Sequence, residues 1–274
     1  MAEKSPFIEV KNISFSYDGT ITLIEGLSAA FPVNSTTLLA GANGAGKTTL
    51  LKLLVGLLRP QHGSILVGGR ESHASPLHEI AAHIAVSLQQ AEYQMFLTTV
   101  KKEISFGPAN VGRPNAAELA ADAIELFALA ADVEVHPYDM HPAKRKLLSL
   151  ASAVAMDTPF LIFDEPTSGL STTEKEIFSN ALRTLRRRGK GYILITHDLS
   201  FGLSHCSRMF VLDKGKCVVD EGVADFLRRP EMEGLMRKAH ARIPAASRIS
   251  RMFDHDPVAR NTEELVSLIR NNAR

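Results

Sequence analysis

The sequence predicts an α/β fold: a mixed β core, an antiparallel β layer, a helical subdomain and a small C-terminal extension. Three observations carry that prediction. The first forty residues alternate apolar and polar side chains at period two, the pattern of half-buried strands. Phe160-Leu161-Ile162-Phe163 and Tyr192-Ile193-Leu194-Ile195 are compact apolar runs, as in parallel strands buried on both faces. Between and before them lie leucine- and alanine-rich segments with helical spacing. With 274 residues, 45% hydrophobic and 22% charged, the chain is long enough to bury one large core and carry an appendage.

Taken in order, Phe7-Ile8-Glu9-Val10 and Ile13-Ser14-Phe15-Ser16-Tyr17 alternate, and Asp18-Gly19 marks a hairpin turn. A short apolar strand, Thr37 to Ala40, runs into the glycine-rich Gly41 to Lys47, and Thr48 to Leu58 follows with leucines at helical spacing. Gly63 to Val67 and His83 to Leu88 are further predicted strands, and Asn115 to Ala131 a helix with leucines and Ile124 on one face. A second helix is predicted over Ala143 to Met156; Pro142 suits its first position, and Lys144, Arg145 and Lys146 lie on its first turn. Thr173 to Arg188 is the crossover helix of a βαβ unit, and the basic run Arg183 to Lys190 reads as its solvated C-terminal end, closed by Gly189. The composition changes near Leu227. The predicted organisation is a main domain over 1–227, with its helical subdomain over about 90–158, and an extension over 228–274 that ends in a helix from Thr262 to Ile269.

Several classes of function are excluded on composition. Lys+Arg 31 against Asp+Glu 30 leaves a net charge of +1, too balanced for an electrostatic footprint on nucleic acid. Cys206 and Cys217 fit neither a disulfide framework nor a paired metal site and read as reduced spectators. His73, His78 and His83 recur at a spacing of five, which does not line one helical face, so no histidine metal cluster is expected. The richest apolar run, Leu50 to Leu58, is nine residues and contains Lys52, short of the ~18 to 20 a membrane span needs. The start, MAEKSPFIEV, lacks the apolar core of a secretory signal, and the chain is expected to remain in the cytoplasm.

Two motifs carry chemistry. Gly41-Ala42-Asn43-Gly44-Ala45-Gly46-Lys47-Thr48 satisfies GxxxxGK[ST] between a strand and a helix. Such a loop wraps phosphates with backbone N–H groups and the positive end of a helix, Lys47 reaches the terminal phosphates, and Thr48 offers its hydroxyl to Mg²⁺. Asn43, Gly44, Ala45, Gly46, Lys47, Thr48 and Thr49 are therefore candidate phosphate contacts. The run into Asp164-Glu165 sets two carboxylates at the end of a buried strand, where open α/β sheets collect their sites. Asp164 suits the Mg²⁺ water shell, and Glu165 can take a proton from an attacking water.

Together, FLIFDEPTSGL at 160–170, Gly41 to Thr49, and Ile195-Thr196-His197-Asp198 resemble the nucleotide-binding domain of an ABC ATPase, a P-loop NTPase, over nearly the whole chain. The resemblance implies ATP and Mg²⁺ as cofactors, His197 as the switch histidine at the γ-phosphate, and Tyr17 as the aromatic stacked on adenine. A narrower similarity to energy-coupling-factor ATPases, which drive vitamin and transition-metal uptake, comes from Leu88-Gln89-Gln90-Ala91-Glu92-Tyr93-Gln94-Met95-Phe96 and from Ile104-Ser105-Phe106-Gly107-Pro108. It implies Gln89 as a contact to Mg²⁺ and water, and Glu92 with Gln94 in a groove that meets a basic coupling helix. The implied assembly pairs this chain with a second ABC ATPase, a transmembrane coupling subunit and a substrate-binding membrane subunit, peripheral on the cytoplasmic face of the membrane. The alternative is a non-transport ABC ATPase or an ATP-binding regulatory module with little hydrolysis. Ile243-Pro244 and Thr262-Glu263-Glu264-Leu265 resemble the group's C-terminal extension, which contributes to dimer contacts.

The chain departs from the family at the Leu-Ser-Gly-Gly-Gln signature, which falls on Met140-His141-Pro142-Ala143-Lys144, and at the D-loop aspartate, replaced by Ser171. His141 is bulky and Pro142 has no N–H, so the donors that would close over a partner's γ-phosphate are missing. A heterodimer is therefore expected over a homodimer, with Lys144 and Arg145 as cations able to compensate in part.

Overall fold

The computed structural model describes residues 7–238, 243–253, 255 and 257–272. The expectations that bear on residues 1–6, and on 239–242, 254, 256, 273 and 274 in the extension, lie outside the described residues.

Strands β1 (Ile8–Ser16) and β2 (Thr22–Phe31) form the expected hairpin and pair antiparallel. After β3 (Thr36–Gly41) and α1 (Lys47–Leu54), β4 (His62–Val67) returns beside β1 and β5 (Arg70–Glu71) closes the sheet, in the order β2-β1-β4-β5. The chain continues through α2 (Leu77–Ala81), β6 (Ile84–Ser87), α3 (Val100–Asn110), α4 (Ala116–Leu126) and α5 (Pro142–Ala155). Next come β7 (Phe160–Asp164), α6 (Thr172–Arg187), β8 (Gly191–Ile195), α7 (Leu199–His205), β9 (Arg208–Asp213) and β10 (Lys216–Gly222). Short helices α8 (Val223–Arg228), α9 (Met232–Lys238), α10 (Ala245–Met252) and α11 (Thr262–Asn272) end the described chain. The second sheet has the order β10-β9-β3-β8-β7-β6, parallel throughout except for the antiparallel β9/β10 hairpin.

That sheet is buried on both faces, as its apolar runs require. Leu38, Leu161, Phe163, Tyr192 and Leu194 point into one cluster with α5 and α6, while Leu39, Phe160, Ile162, Ile193 and Ile195 point into another with α1 and the antiparallel sheet. Period two thus divides each strand between two cores. Helix α5 begins at Pro142, and the crossover helix α6 carries a capping box in which Ser171 accepts from Glu174 N and the Glu174 carboxylate accepts from Ser171 N. The basic run at its end is paired outward, with Arg188 3.5 Å from Asp122 and Lys190 2.7 Å from Asp157.

Four segments differ from expectation. The helix predicted over Asn115 to Ala131 stops at Leu126, because Ala128 sits at φ +54° and begins a turn. The helix predicted to Leu58 stops at Leu54, ahead of Gly56 at φ +76°. Helix α3 and the β9/β10 hairpin were not expected from the sequence, although both are regular.

Phe178 on α6 joins the crossover helix to the sheet. It is fully buried, packed edge-on against Phe163 at 5.2 Å and stacked on Phe201 of α7 at 5.7 Å between ring centres. We expect Phe178→Ala to lower stability by about 3 to 5 kcal/mol, measured as a shift in the denaturation midpoint of the full chain; a change below about 1 kcal/mol would refute this packing role.

Candidate functional site

The glycine-rich loop turns from the end of β3 into α1. A Cβ at Gly41 would lie 2.4 Å from Leu212 O, so only glycine lets β3 and β9 pass this close; Gly46, at φ +104°, then brings Lys47 to the first helical position. The loop faces a cavity of about 310 Å³ lined by Asn43, Gly44, Gly46, Lys47, Thr48 and Thr49, by Gln89 after β6, by Asp164 and Glu165 at the end of β7, and by His197 beyond β8. These predicted residues come together as expected. Ala45 does not line the cavity but is buried beneath the loop, and Tyr17 stands apart from it, exposed at the end of β1 and edge-on to Phe15 at 5.0 Å.

Parallel pairing of β7 with β8 sets the carboxylates against the histidine. Asp164 pairs with Ile195, and Glu165 N–H donates to Ile195 O at 2.8 Å. Glu165 is held at φ +46°, a strained conformation for a residue with a Cβ. Its Oε2 accepts from His197 N at 3.3 Å, and its Oε1 lies 3.4 Å from His197 Nε2. Oε1 is buried and makes no hydrogen bond within the described residues, with the His197 ring beside it at 3.4 Å. Burial pushes the Glu165 carboxyl above the usual range, and the His197 charge and N–H oppose that shift. Burial likewise raises Asp164, opposed by the Lys146, Lys47 and His197 charges. Lys47 is lowered by burial; its ammonium donates to Gly41 O at 2.7 Å and Ala42 O at 2.9 Å, within its own loop.

Thr48, Gln89 and Asp164 supply a hydroxyl, an amide and a carboxylate, the hard oxygen donors that Mg²⁺ takes. Three donors leave the rest of an octahedral shell to water and phosphate oxygens, which suits an ion that arrives with nucleotide phosphates. One residue of the site escaped sequence reasoning. Lys146 is 5% exposed, and its Nζ donates to Leu88 O at 3.0 Å and Gln89 O at 2.8 Å rather than standing in a solvated basic turn. Burial lowers its pKa to about 8, against the pull of Asp164 and Glu165. The only sequence signal was a lysine flanked by residues of an otherwise apolar helical stripe.

Elsewhere the structure reassigns expected roles. Gln94 does not present its amide to a partner: Oε1 accepts from Leu88 N at 2.8 Å and Ser149 Oγ at 2.9 Å, and Nε2 donates to Val86 O at 3.0 Å. Lys144 does not reach toward a phosphate, because its ammonium is paired with Asp132 at 2.7 Å. In the remnant signature, His141 Nδ1 accepts from Ala143 N at 3.4 Å, so the side chain caps its own helix. Met140 and Ala143 are buried, and Pro142 is exposed. Ser171 caps α6.

Residues 24–168 match the ABC transporter family. The chain belongs to that family of ATP-binding cassettes. Its members bind ATP with Mg²⁺, which fits the loop and the oxygen donors above. A putative ABC transporter ATP-binding protein of Methanosarcina acetivorans is 32% identical over 81% of this chain and 42% of its own length. The chain therefore spans less than half of that relative. The cobalt import ATP-binding protein CbiO of Rhodobacter capsulatus is 33% identical over 80% of each chain. Among solved structures, cbiO1 of Clostridium perfringens, described as part of the complex cbiONQ, shares the fold at TM-score 0.74 and 21% identity, over 92% of this chain and all of that one.

With the loop as phosphate cradle, Lys47→Ala is expected to weaken Mg-ATP binding by about a hundredfold, since it removes a charge-assisted contact worth about 1.5 to 3 kcal/mol together with its field. Calorimetric titration of the full chain reads this directly, and parent-like affinity would overturn the assignment.

Proposed function

We propose that this cassette hydrolyses ATP to power an energy-coupling-factor type importer for a metal ion or a vitamin, docked on the cytoplasmic face of the membrane. The observation that carries the proposal is a second cavity, an apolar groove of about 340 Å³ beside the segment after Gln89. Its walls include Leu57, Leu77, Phe96 and Phe106, large apolar side chains that are all exposed. Phe96 and Phe106 meet edge-on at 5.0 Å, and Glu92 stands exposed nearby on the same segment. Exposed aromatics rimmed by an acidic residue suit an amphipathic helix with a basic end. No helix among the described residues is long and apolar enough to cross a membrane. The names of the CbiO relatives support cobalt or a similar solute.

At the other end of that segment, bound Mg²⁺ would polarise the terminal phosphate and be held by Thr48, Gln89 and Asp164. Lys47 neutralises phosphate charge, and the Glu165 carboxylate in the cavity wall accepts a proton from the attacking water while His197 fixes it in place. Tyr17, exposed, offers a π face to adenine.

We further propose that the working unit is a heterodimer. The phosphate loop, Glu165 and His197 are complete in this chain, but its signature helix spends Ala143 N–H on His141 and lacks a donor at Pro142. A partner ATPase with intact donors completes the Lys47/Glu165 site, and the reciprocal site is weak. Losing one such donor costs about 10²- to 10³-fold in rate. The chain alone is therefore expected to hydrolyse ATP poorly, addition of the partner to restore turnover, and Glu165→Gln in this chain to abolish it. Vigorous hydrolysis by the isolated chain, or turnover indifferent to Glu165→Gln, would refute the asymmetric dimer.

The transport proposal is tested separately. Phe96→Asp and Glu92→Lys should each reduce recovery of a hydrophobic membrane subunit in detergent pull-downs, Phe96→Asp while leaving Mg-ATP affinity unchanged; undiminished recovery with both would remove the groove as its docking site.

A further inference from the structure

We propose that Lys146 is the positioning residue for Gln89, fixing from the signature helix the metal-side wall of the nucleotide cavity. The ladder of β6 ends where Ser87 pairs with Phe163, so the carbonyls of Leu88 and Gln89 lie beyond the sheet. Their hydrogen bonds come instead from α5, through the Lys146 ammonium at 3.0 and 2.8 Å. One helical turn on, Ser149 bonds Ser87 Oγ at 2.9 Å and donates to Gln94 Oε1 at 2.9 Å. Gln94 in turn spans Leu88 N and Val86 O. Two residues one turn apart on one helix therefore grip the loop at its start and at its end.

The choice of a lysine for the first grip is informative. Two carbonyls could be satisfied by a neutral amide, whereas a buried ammonium costs several kcal/mol of desolvation unless it meets partners of opposite polarity. Lys146 has such partners: Asp164, Glu165 and Glu92 all act on its charge. It thus belongs to the acidic end of the cavity and not merely to the packing of α5. Holding the Gln89 carbonyl fixes where its side chain leaves the backbone, and this is how an outer-shell group orients a metal contact. The inference rests on Gln89 as a Mg²⁺ contact, but not on the transport proposal.

The test is calorimetric titration of the full chain with ATP, in Mg²⁺ and in EDTA, for the parent and for Lys146→Met. The affinity in EDTA should stay within about twofold of the parent, while the gain in affinity on adding Mg²⁺ falls by about tenfold or more, the usual cost of losing an outer-shell partner. In the assembled ATPase the same variant should lower kcat by about tenfold with little change in KM. An unchanged Mg²⁺ gain, or equal losses with and without Mg²⁺, would overturn the role. Lys146→Gln keeps two N–H donors and should recover part of the gain, so a folded Lys146→Gln that recovers none would also overturn it. That variant carries the test should Lys146→Met fail to fold. A parent chain indifferent to Mg²⁺ would instead overturn the metal contact assigned to Gln89, and the role of Lys146 with it.

Discussion

The last rung of the parallel ladder between β7 and β8, Glu165 N–H to Ile195 O at 2.8 Å, is the interaction on which the site depends. It holds the chain one residue beyond β7, with Glu165 in a left-handed conformation that costs about 1 to 3 kcal/mol and persists only where its surroundings fix it. The return is geometric. Both strands turn away from the sheet at the same level, so the Glu165 carboxylate meets the backbone and ring of His197 without a long loop on either side. Because Asp164 is the last residue of a strand buried on both faces, this acid is withdrawn from water, and the fields of Lys47 and Lys146 act on it through a poorly screening medium.

The other walls of the cavity are referred to the same sheet. The glycine-rich loop leaves β3, the neighbour of β8, and Gln89 leaves the region after β6, the neighbour of β7. Lys47, Gln89, Asp164, Glu165 and His197 thus rise from four strand ends on one side of one sheet, which fixes their spacing more firmly than independent loops would. Only the Gln89 wall lacks a backbone rung of its own, and there α5 supplies side-chain donors instead.

Much of this was legible in the sequence because periodicity and chemistry coincided. The apolar runs at 160–163 and 192–195 are strands in the structure, and the carboxylates and histidine that follow them lie where the runs predicted. What escaped was set by tertiary contacts. Helix α3 contains Gly107 and Pro108, which argue locally against a helix, yet it packs against α4 and α5, with Gly107 beside the Met156 side chain, and these contacts override the local preference. The β9/β10 hairpin turns at Lys214 and Gly215, both at positive φ, through a polar stretch that hides the pairing of its flanks. Lys146 was grouped with its basic neighbours because sequence spacing alone does not tell which of three adjacent cations faces inward.

The eroded signature follows from the same local physics that makes helices stable. A helix N-terminus leaves donors open, and those donors can bind a phosphate or be satisfied within the chain. Here Pro142 removes one donor, the His141 ring takes the Ala143 N–H, and Lys144 is neutralised by Asp132. The D-loop position is treated alike, with Ser171 spent as a cap for α6. Each replacement satisfies a group that a working composite site would leave open for its partner's nucleotide, so local stability and function across the dimer compete for the same hydrogen bonds.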